Sequence, residues 1–220
     1  MSQTQNVYEQ LRQDIVACRL QPARKLKIAE LCTHFGVSLG AVREALSRLT
    51  ADGLVLAEAQ KGYQVAPMST AELEDLTATR IEIESLCLRK SLARGDLHWE
   101  SQLMAAHHVL AGTPLREAGD PAGVSDAWSR AHSDFHLALV AACGSPWLLR
   151  LRATLYEQTE RYRRFSATAA RADRDLGGEH GELFKAAIAR NAGAAIAAIT
   201  RHFQATTDVV LQQHDPAMRA

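Results

Sequence analysis

This chain of 220 residues has few cysteines, no net charge and no long apolar run, and each shortage excludes something. Cys18, Cys32, Cys87 and Cys143 lie far apart with no C-x-x-C pair, which excludes a disulfide-dense scaffold. Each sits among apolar neighbours and is expected to be a buried, reduced thiol. No stretch approaches ~18 consecutive apolar residues, so no membrane span is expected. The alanine-rich stretch 186–199 is broken by Arg190, Asn191 and Gly193. The opening Met1-Ser2-Gln3-Thr4-Gln5-Asn6 has no basic start followed by an apolar run, so no secretory signal is visible and a cytoplasmic protein is expected. A Gly-rich phosphate loop and a G-x-S-x-G nucleophile motif are also missing. The zero net charge divides unevenly: residues 1–66 carry eight Lys/Arg against six Asp/Glu, and the rest carry seventeen against nineteen. That asymmetry has the sign a nucleic-acid-binding head needs, but it is small.

The order of elements is more informative. Val7, Leu11, Ile15 and Val16 recur at helical spacing and predict a first helix over 8–19. Pro22 breaks the chain, and Leu26-Lys27-Ile28 leads into a second helix over 29–35. Gly36 fits a helix C-cap and Ser38 an N-cap. A third helix is expected over 39–52, with Val42, Ala45, Leu46 and Leu49 on one face. After Gly53 the period shortens, so 54–58 and 63–66 read as two strands joined by a turn at 59–62. Pro67 ends that unit and 67–70 reads as a linker.

From residue 71 to 214 only helical patterns appear, near 70–94, 97–111, 123–143, 146–170, 175–191 and 192–214, with a short tail at 215–220. The fold expected is mainly α: a winged helix-turn-helix over 1–66, then an all-α six-helix antiparallel bundle.

Helix, helix with a glycine turn, helix and ribbon is the order of a DNA-reading winged helix-turn-helix, whose second helix presents its N-terminal side chains to the major groove. Ser38, Arg43 and Arg48 on that helix and Lys61 at the wing tip are the candidate DNA contacts. A guanidinium either bonds a guanine edge or holds a phosphate, and Lys61 is placed for the backbone or the minor groove. A head this small buries little DNA, so a homodimer on a two-fold operator is expected.

Histidines form a second constellation. His132 and His136 are i and i+4 on one helix, ~40° apart, with Trp128, Phe135 and Leu139 nearby. His180 and His202 lie on two later helices, so three helices are able to aim four imidazoles at one point, as bundles with metal sites do. Imidazole suits zinc, nickel, copper or iron. Asp134, ~200° around the helix from His132 and His136, is expected to point away. His132-Ser133-Asp134-Phe135-His136 has the outline of the zinc-protease H-E-x-x-H but lacks its general-base Glu. A metal-dependent hydrolase is therefore the weaker reading, as is an architectural DNA-binding protein without an effector.

The run Val7-Tyr8-Glu9-Gln10-Leu11-Arg12, Gln21-Pro22, Val42-Arg43-Glu44-Ala45-Leu46, Gly53-Leu54-Val55 and Lys61-Gly62-Tyr63-Gln64-Val65 resembles the GntR family of transcription regulators. Two departures stand out. Pro22-Ala23 replaces the family's usual Pro-Gly, and Ser38-Leu39 replaces its Ser-Arg. Leu39 has no donor for a base edge, so it either meets a thymine methyl or leaves its position unread, and a half-site unlike the common one is expected.

Arg80-x-x-x-Glu84, Phe135-His136-x-x-Leu139, Cys143-Gly144-Ser145, Glu179-His180 and His202 resemble the FCD sensing domain of the FadR-type branch. That resemblance implies a divalent metal held by His136, His180 and His202, with His132 standing where the family has Asp, and zinc or nickel as the ion. It also implies dimerisation through the sensing domain, and repression as the commoner outcome. Four neutral imidazoles leave the ion's charge uncancelled, which favours an anionic effector. Arg80 either holds a second carboxylate of that effector or forms an i,i+4 ion pair with Glu84. A small organic acid, a dicarboxylate above all, is the expected effector. Similarity to a carbon-starvation repressor within the family implies glutarate.

Overall fold

The computed structural model describes residues 2–58, 62–116, 124–166 and 174–212. These form two compact units. Among them, one unit comprises the residues through Leu73 together with Glu157–Phe165, and the other Glu74–Tyr156 together with Ser166 and residues 174–212. Among the described residues no helix is long and apolar enough to cross a membrane.

In the first unit α1 (Gln3–Val16) starts at Ser2, whose hydroxyl accepts the Gln5 amide, so the helix begins five residues earlier than periodicity suggests. The residues between Ser2 and Val7 are polar and leave no hydrophobic stripe to read, although Ser2 is a good N-cap. Val7, Leu11 and Ile15 fall at helical spacing and are buried against Val42, Ala45, Leu46 and Leu49 of α3 (Leu39–Ala51). Each of the Val, Leu and Ile side chains contributes roughly 1.5–3 kcal/mol on burial. Between them runs α2 (Ile28–Phe35), which ends at Gly36 with φ +62, a backbone conformation that costs an L-residue ~1–2 kcal/mol.

A strand not foreseen in the sequence completes the unit. β1 (Lys25–Leu26) pairs antiparallel with β3 (Gly62–Val65), which pairs in turn with β2 (Val55–Glu58), giving the order β1-β3-β2. Two residues are too few to show alternation. The strand exists because a turn delivers it: Arg24 N–H bonds the Gln21 carbonyl at 3.2 Å, around Pro22 and Ala23. Ala23 has φ +59, the left-handed geometry for which the family's glycine is suited. The ribbon turn expected at 59–62, and with it Lys61, lies mostly outside the described residues.

The second half of α7 (Pro146–Ser166) packs with this unit. Arg161, almost wholly buried, donates from Nη2 to the Ala66 carbonyl at 2.6 Å, and Cys18 Sγ donates to the Arg161 carbonyl at 3.2 Å. The Tyr162 hydroxyl bonds the Glu72 carboxylate and receives the Ser69 amide at 3.1 Å.

The helical unit is built from α4 (Thr70–Arg94), α5 (Leu97–Gly112), α6 (Asp126–Val140), a 3-10 turn (Ala141–Cys143), the first half of α7, α8 (Leu176–Ile188) and α9 (Ala192–Gln212). Leu88, Leu92, Leu103, Phe135, Leu139, Leu183, Ile199 and Phe203 form its core. Ala187, Ala195 and Ala198 are buried among them, and their small size suits a close approach of α8 and α9. Gly144 (φ +68) follows the 3-10 turn. A Cβ there would collide with the Arg94 guanidinium, whose Nη1 donates to the Cys143 carbonyl at 3.0 Å. Of the four cysteines, Cys18, Cys87 and Cys143 are buried as expected, whereas Cys32 is only half-buried.

Candidate metal centre and nucleic-acid interface

Capping and register bring the four histidines together. Ser125 caps α6 through the Ala127 and Trp128 amides, and the 3.6-residue period puts His132 and His136 on the same buried stripe as Trp128, Phe135 and Leu139. Asp175 caps α8 through the Gly178 amide, one turn before His180, and α9 carries His202 beside Phe203. All four rings are buried, and one nitrogen of each lies within 4.8 Å of the others. His132 Nε2 and His136 Nε2 are 3.1 Å apart. Four nitrogens bound tetrahedrally at ~2.0–2.1 Å would be about 3.3 Å from one another. The donor set and spacing therefore fit a divalent ion. Asp134 is exposed on the far side of α6.

Electrostatics agree with ligation. Burial above all, then the neighbouring imidazoles and the Arg80 cation, hold His136 well below the ordinary imidazole range. Burial, reinforced by His202, brings His180 down to about 3. Both rings stay neutral with lone pairs available. Among the described residues, His180 Nε2 is buried without a hydrogen-bond partner. Such a deficit is costly unless something supplies the partner.

An outer layer surrounds the cluster that sequence reasoning did not assign. His202 Nδ1–H donates to Glu179 Oε2 at 2.7 Å, and Arg174 grips that carboxylate with two bonds of 2.7 and 2.6 Å. Burial raises the Glu179 carboxyl, but the bonds from His202 and Arg174 outweigh it and hold it down at about 2. Glu179 enters the sequence reading only through the Glu179-His180 motif, with no role of its own, and Arg174 lies before α8 where no periodicity exists.

Arg80 lies near the cluster. Its guanidinium stands 3.9 Å above the Phe203 ring and 5.2 Å from that of Tyr156. Of the two readings left open for it, the i,i+4 ion pair with Glu84 does not form among the described residues. Glu84 receives Arg152 Nε on both carboxylate oxygens, at 3.1 and 3.0 Å, with both side chains buried.

On α3, Ser38 accepts the Ala41 amide at 3.3 Å and keeps its own proton to donate. Arg43 is exposed one turn further on, and Leu39 is 51% exposed beside Ser38. Arg48 is placed differently. Its guanidinium lies 4.0 Å above the Tyr8 ring and donates to Gln5 Oε1 at 2.9 Å, against α1.

Comparison with known proteins agrees with both halves. Residues 3–65 match the bacterial regulatory proteins of the gntR family, and residues 75–205 match the FCD domain. The chain is 40% identical over 205 residues to the uncharacterized HTH-type transcriptional regulator BphR of Paraburkholderia xenovorans, covering 93% of this chain and 84% of that one. It is 33% identical over 209 residues to the HTH-type transcriptional repressor GlaR of Escherichia coli, covering 93% and 94%. In fold it is similar to a crystal structure of a putative GntR transcriptional regulator from Rhodococcus sp. RHA1, with a TM-score of 0.78 at 23% identity over 98% of this chain and all of that one. The chain belongs to the GntR family of bacterial transcription regulators, with a C-terminal FCD domain, and is a regulator rather than an enzyme.

Proposed function

We propose that this regulator is a repressor that binds a two-fold operator as a homodimer and leaves it when a small dicarboxylate enters the helical unit. The observation that carries the reading is the buried cluster of His132, His136, His180 and His202, whose ring nitrogens converge within 4.8 Å. Such a set would hold a divalent ion, zinc or nickel, and the ion would supply a positive centre for a carboxylate. Glu179 is offset by Arg174, so among the described residues no ligand carboxylate and no unpaired outer carboxylate cancels the ion's charge. Arg80 adds a second cation close enough to disfavour protonation of His136 and His202, and is the proposed anchor for the effector's other carboxylate. Glutarate has two carboxylates of that kind, and repression is the activity in the name of the Escherichia coli relative.

In the head, Ser38 and Arg43 are proposed to meet DNA directly, joined by Lys61 from the ribbon turn. Arg48 is held by Gln5 and Tyr8 and would position α1 and α3 as it reaches a phosphate. Effector binding would then shift the population between DNA-competent and DNA-incompetent dimers.

The test is elemental analysis of the purified protein, followed by operator-binding titrations with a panel of C3–C6 mono- and dicarboxylates, with and without a chelator. The expected result is about one zinc or nickel per chain, and operator release by a dicarboxylate that chelation abolishes. Operator binding unaffected by every acid, with metal present, would overturn the effector reading.

A further inference from the structure

We propose that Glu179 and Arg174 are positioning residues of the imidazole cluster, fixing His202 in the tautomer that turns its Nε2 lone pair to the other three rings. The proposal rests on reading that cluster as a ligand set, and it adds a role for residues outside the set. A neutral imidazole has one N–H, and the nitrogen that carries it is decided by the bond it makes. Glu179 Oε2 accepts a hydrogen bond from His202 Nδ1–H at 2.7 Å, a much shorter contact than the 3.4 Å between Arg174 Nη2 and the same nitrogen, so Nε2 is left as the acceptor.

Arg174 holds Glu179 in that task. Its two bonds to the carboxylate fix the orientation of the Glu179 oxygens, because a planar guanidinium and a planar carboxylate match in one arrangement. The same guanidinium donates to the His202 carbonyl at 2.9 Å and to Thr206 Oγ1 at 2.9 Å. One side chain therefore grips the orienting carboxylate and the backbone of the residue being oriented.

The plain alternative is that Glu179, bonded to His202, and Arg174, bonded to the His202 carbonyl and Thr206, staple α8 and the segment before it to α9 and do nothing more. The exposed pair Arg201–Glu182, 3.3 Å apart, joins the same two helices, and none of its described bonds goes to the four rings. The Arg174–Glu179 pair is more enclosed, at 18% and 27% side-chain exposure, and ends on a ring nitrogen of His202 that is itself 6% exposed. His180 meets the Leu176 backbone of its own helix, a contact that favours a proton on the ring, and its Nε2 is buried without a described partner. His202 has no equivalent within α9 among the described bonds, and Glu179 fills that need. Carboxylate–histidine pairs of this kind set ligand orientation and basicity at metal sites, and losing the carboxylate typically costs 10–100-fold in affinity.

The experiment compares wild type with Glu179→Ala, Glu179→Gln and the control Glu182→Ala, using the full chain. Two readouts are taken: the tautomer of His202 by long-range 15N–1H correlation in metal-free protein, and the Zn2+ dissociation constant by competition with a chromophoric chelator. The expected wild-type signature is a proton on Nδ1. Glu179→Ala should lose that preference and bind Zn2+ about 10–100-fold more weakly, while Glu179→Gln, which keeps an oxygen acceptor, should recover most of both. Glu182→Ala should leave both unchanged. If Glu179→Ala keeps the Nδ1–H tautomer, or binds Zn2+ within ~3-fold of wild type while only melting earlier, the proposal is wrong and the pair is a staple. Should wild type itself bind no Zn2+, the ligand-set reading falls, and the tautomer of His202 alone decides this one.

Discussion

His132 and His136 face one another at 3.1 Å through their Nε2 atoms, in the place where the family resemblance implies an aspartate and a histidine. Both nitrogens lone-pair-first at that distance repel, and a shared cation or a shared proton relieves it. The first prediction follows from the charge difference. Unit charges ~4 Å apart at an effective dielectric of ~20 interact by about 4 kcal/mol. His132→Asp should therefore retain a divalent ion yet weaken a dicarboxylate by at least about tenfold, or ~1.4 kcal/mol. Calorimetric titration of metal-loaded protein checks it, and equal affinities would remove the charge argument.

Arg43 and Arg48 separate on energetic grounds. Arg43→Ala removes an exposed side chain, so it should leave thermal stability within ~0.5 kcal/mol of wild type. Operator affinity should fall by roughly 1–3 kcal/mol if the guanidinium reads a guanine, with sequence preference relaxed at one position. Arg48→Ala strips a hydrogen bond from Gln5 and a cation from the Tyr8 face and should destabilise the head by ~1–2 kcal/mol. Denaturant melts paired with operator titrations over a range of salt concentrations distinguish the two variants.

Ala23 occupies the left-handed region at φ +59. Replacing it with the family's glycine removes a strain of ~1–2 kcal/mol and returns part of it as chain entropy in the unfolded state. A net stabilisation of up to about 1 kcal/mol is expected for Ala23→Gly, visible as a higher urea midpoint with an unchanged slope. A lower midpoint would show that the turn holds no strain.

Thiol chemistry should divide the cysteines by burial. Burial, which outweighs the nearby Arg161 and Arg164 cations, pushes Cys18 up to about 11. Burial together with the neighbouring Cys143 pushes Cys87 up to about 12. At pH 7.5 a chromogenic disulfide reagent should therefore modify one thiol rapidly, Cys32, and the other three only on unfolding. Cys32→Ser should abolish the rapid phase, and a remaining fast phase would mean that the core opens.

Glu160 gives a pH dependence with a defined sign. Burial raises its carboxyl, but Arg163 and Arg164 outweigh burial and lower it below the ordinary value. A carboxylate lowered in the folded state contributes stability that is present above its unfolded value, ~4.3, and is lost as pH falls through the folded value. The stability difference between wild type and Glu160→Gln should therefore shrink between about pH 5 and pH 3. Chemical melts at both ends of that window measure it, and a constant difference would show that the pairing contributes nothing.

Much of this was legible in the residues themselves. Helical spacing of Val42, Ala45, Leu46 and Leu49, the glycine at 36 and the cap at Ser38 determined the reading helix, because those signals act within one or two turns. The stripe of His132 and His136 was likewise determined locally, since an i,i+4 pair shares a face whatever surrounds it. The sequence could offer His180 and His202 only as partners that three helices were able to bring to one point. Their convergence was decided by packing of α6, α8 and α9 around Phe135, Leu183 and Phe203.

Other features belong to the tertiary structure alone. β1 forms because β3 is there to pair with it, and Arg48 turns to α1 because Tyr8 supplies a ring face across 40 residues of chain. Glu84 finds Arg152 in place of Arg80, and Glu179 finds His202, through contacts between helices distant in sequence. Periodicity records which side of an element is buried. Which charged group meets which across that buried surface depends on the geometry of packing, and no local pattern encodes it.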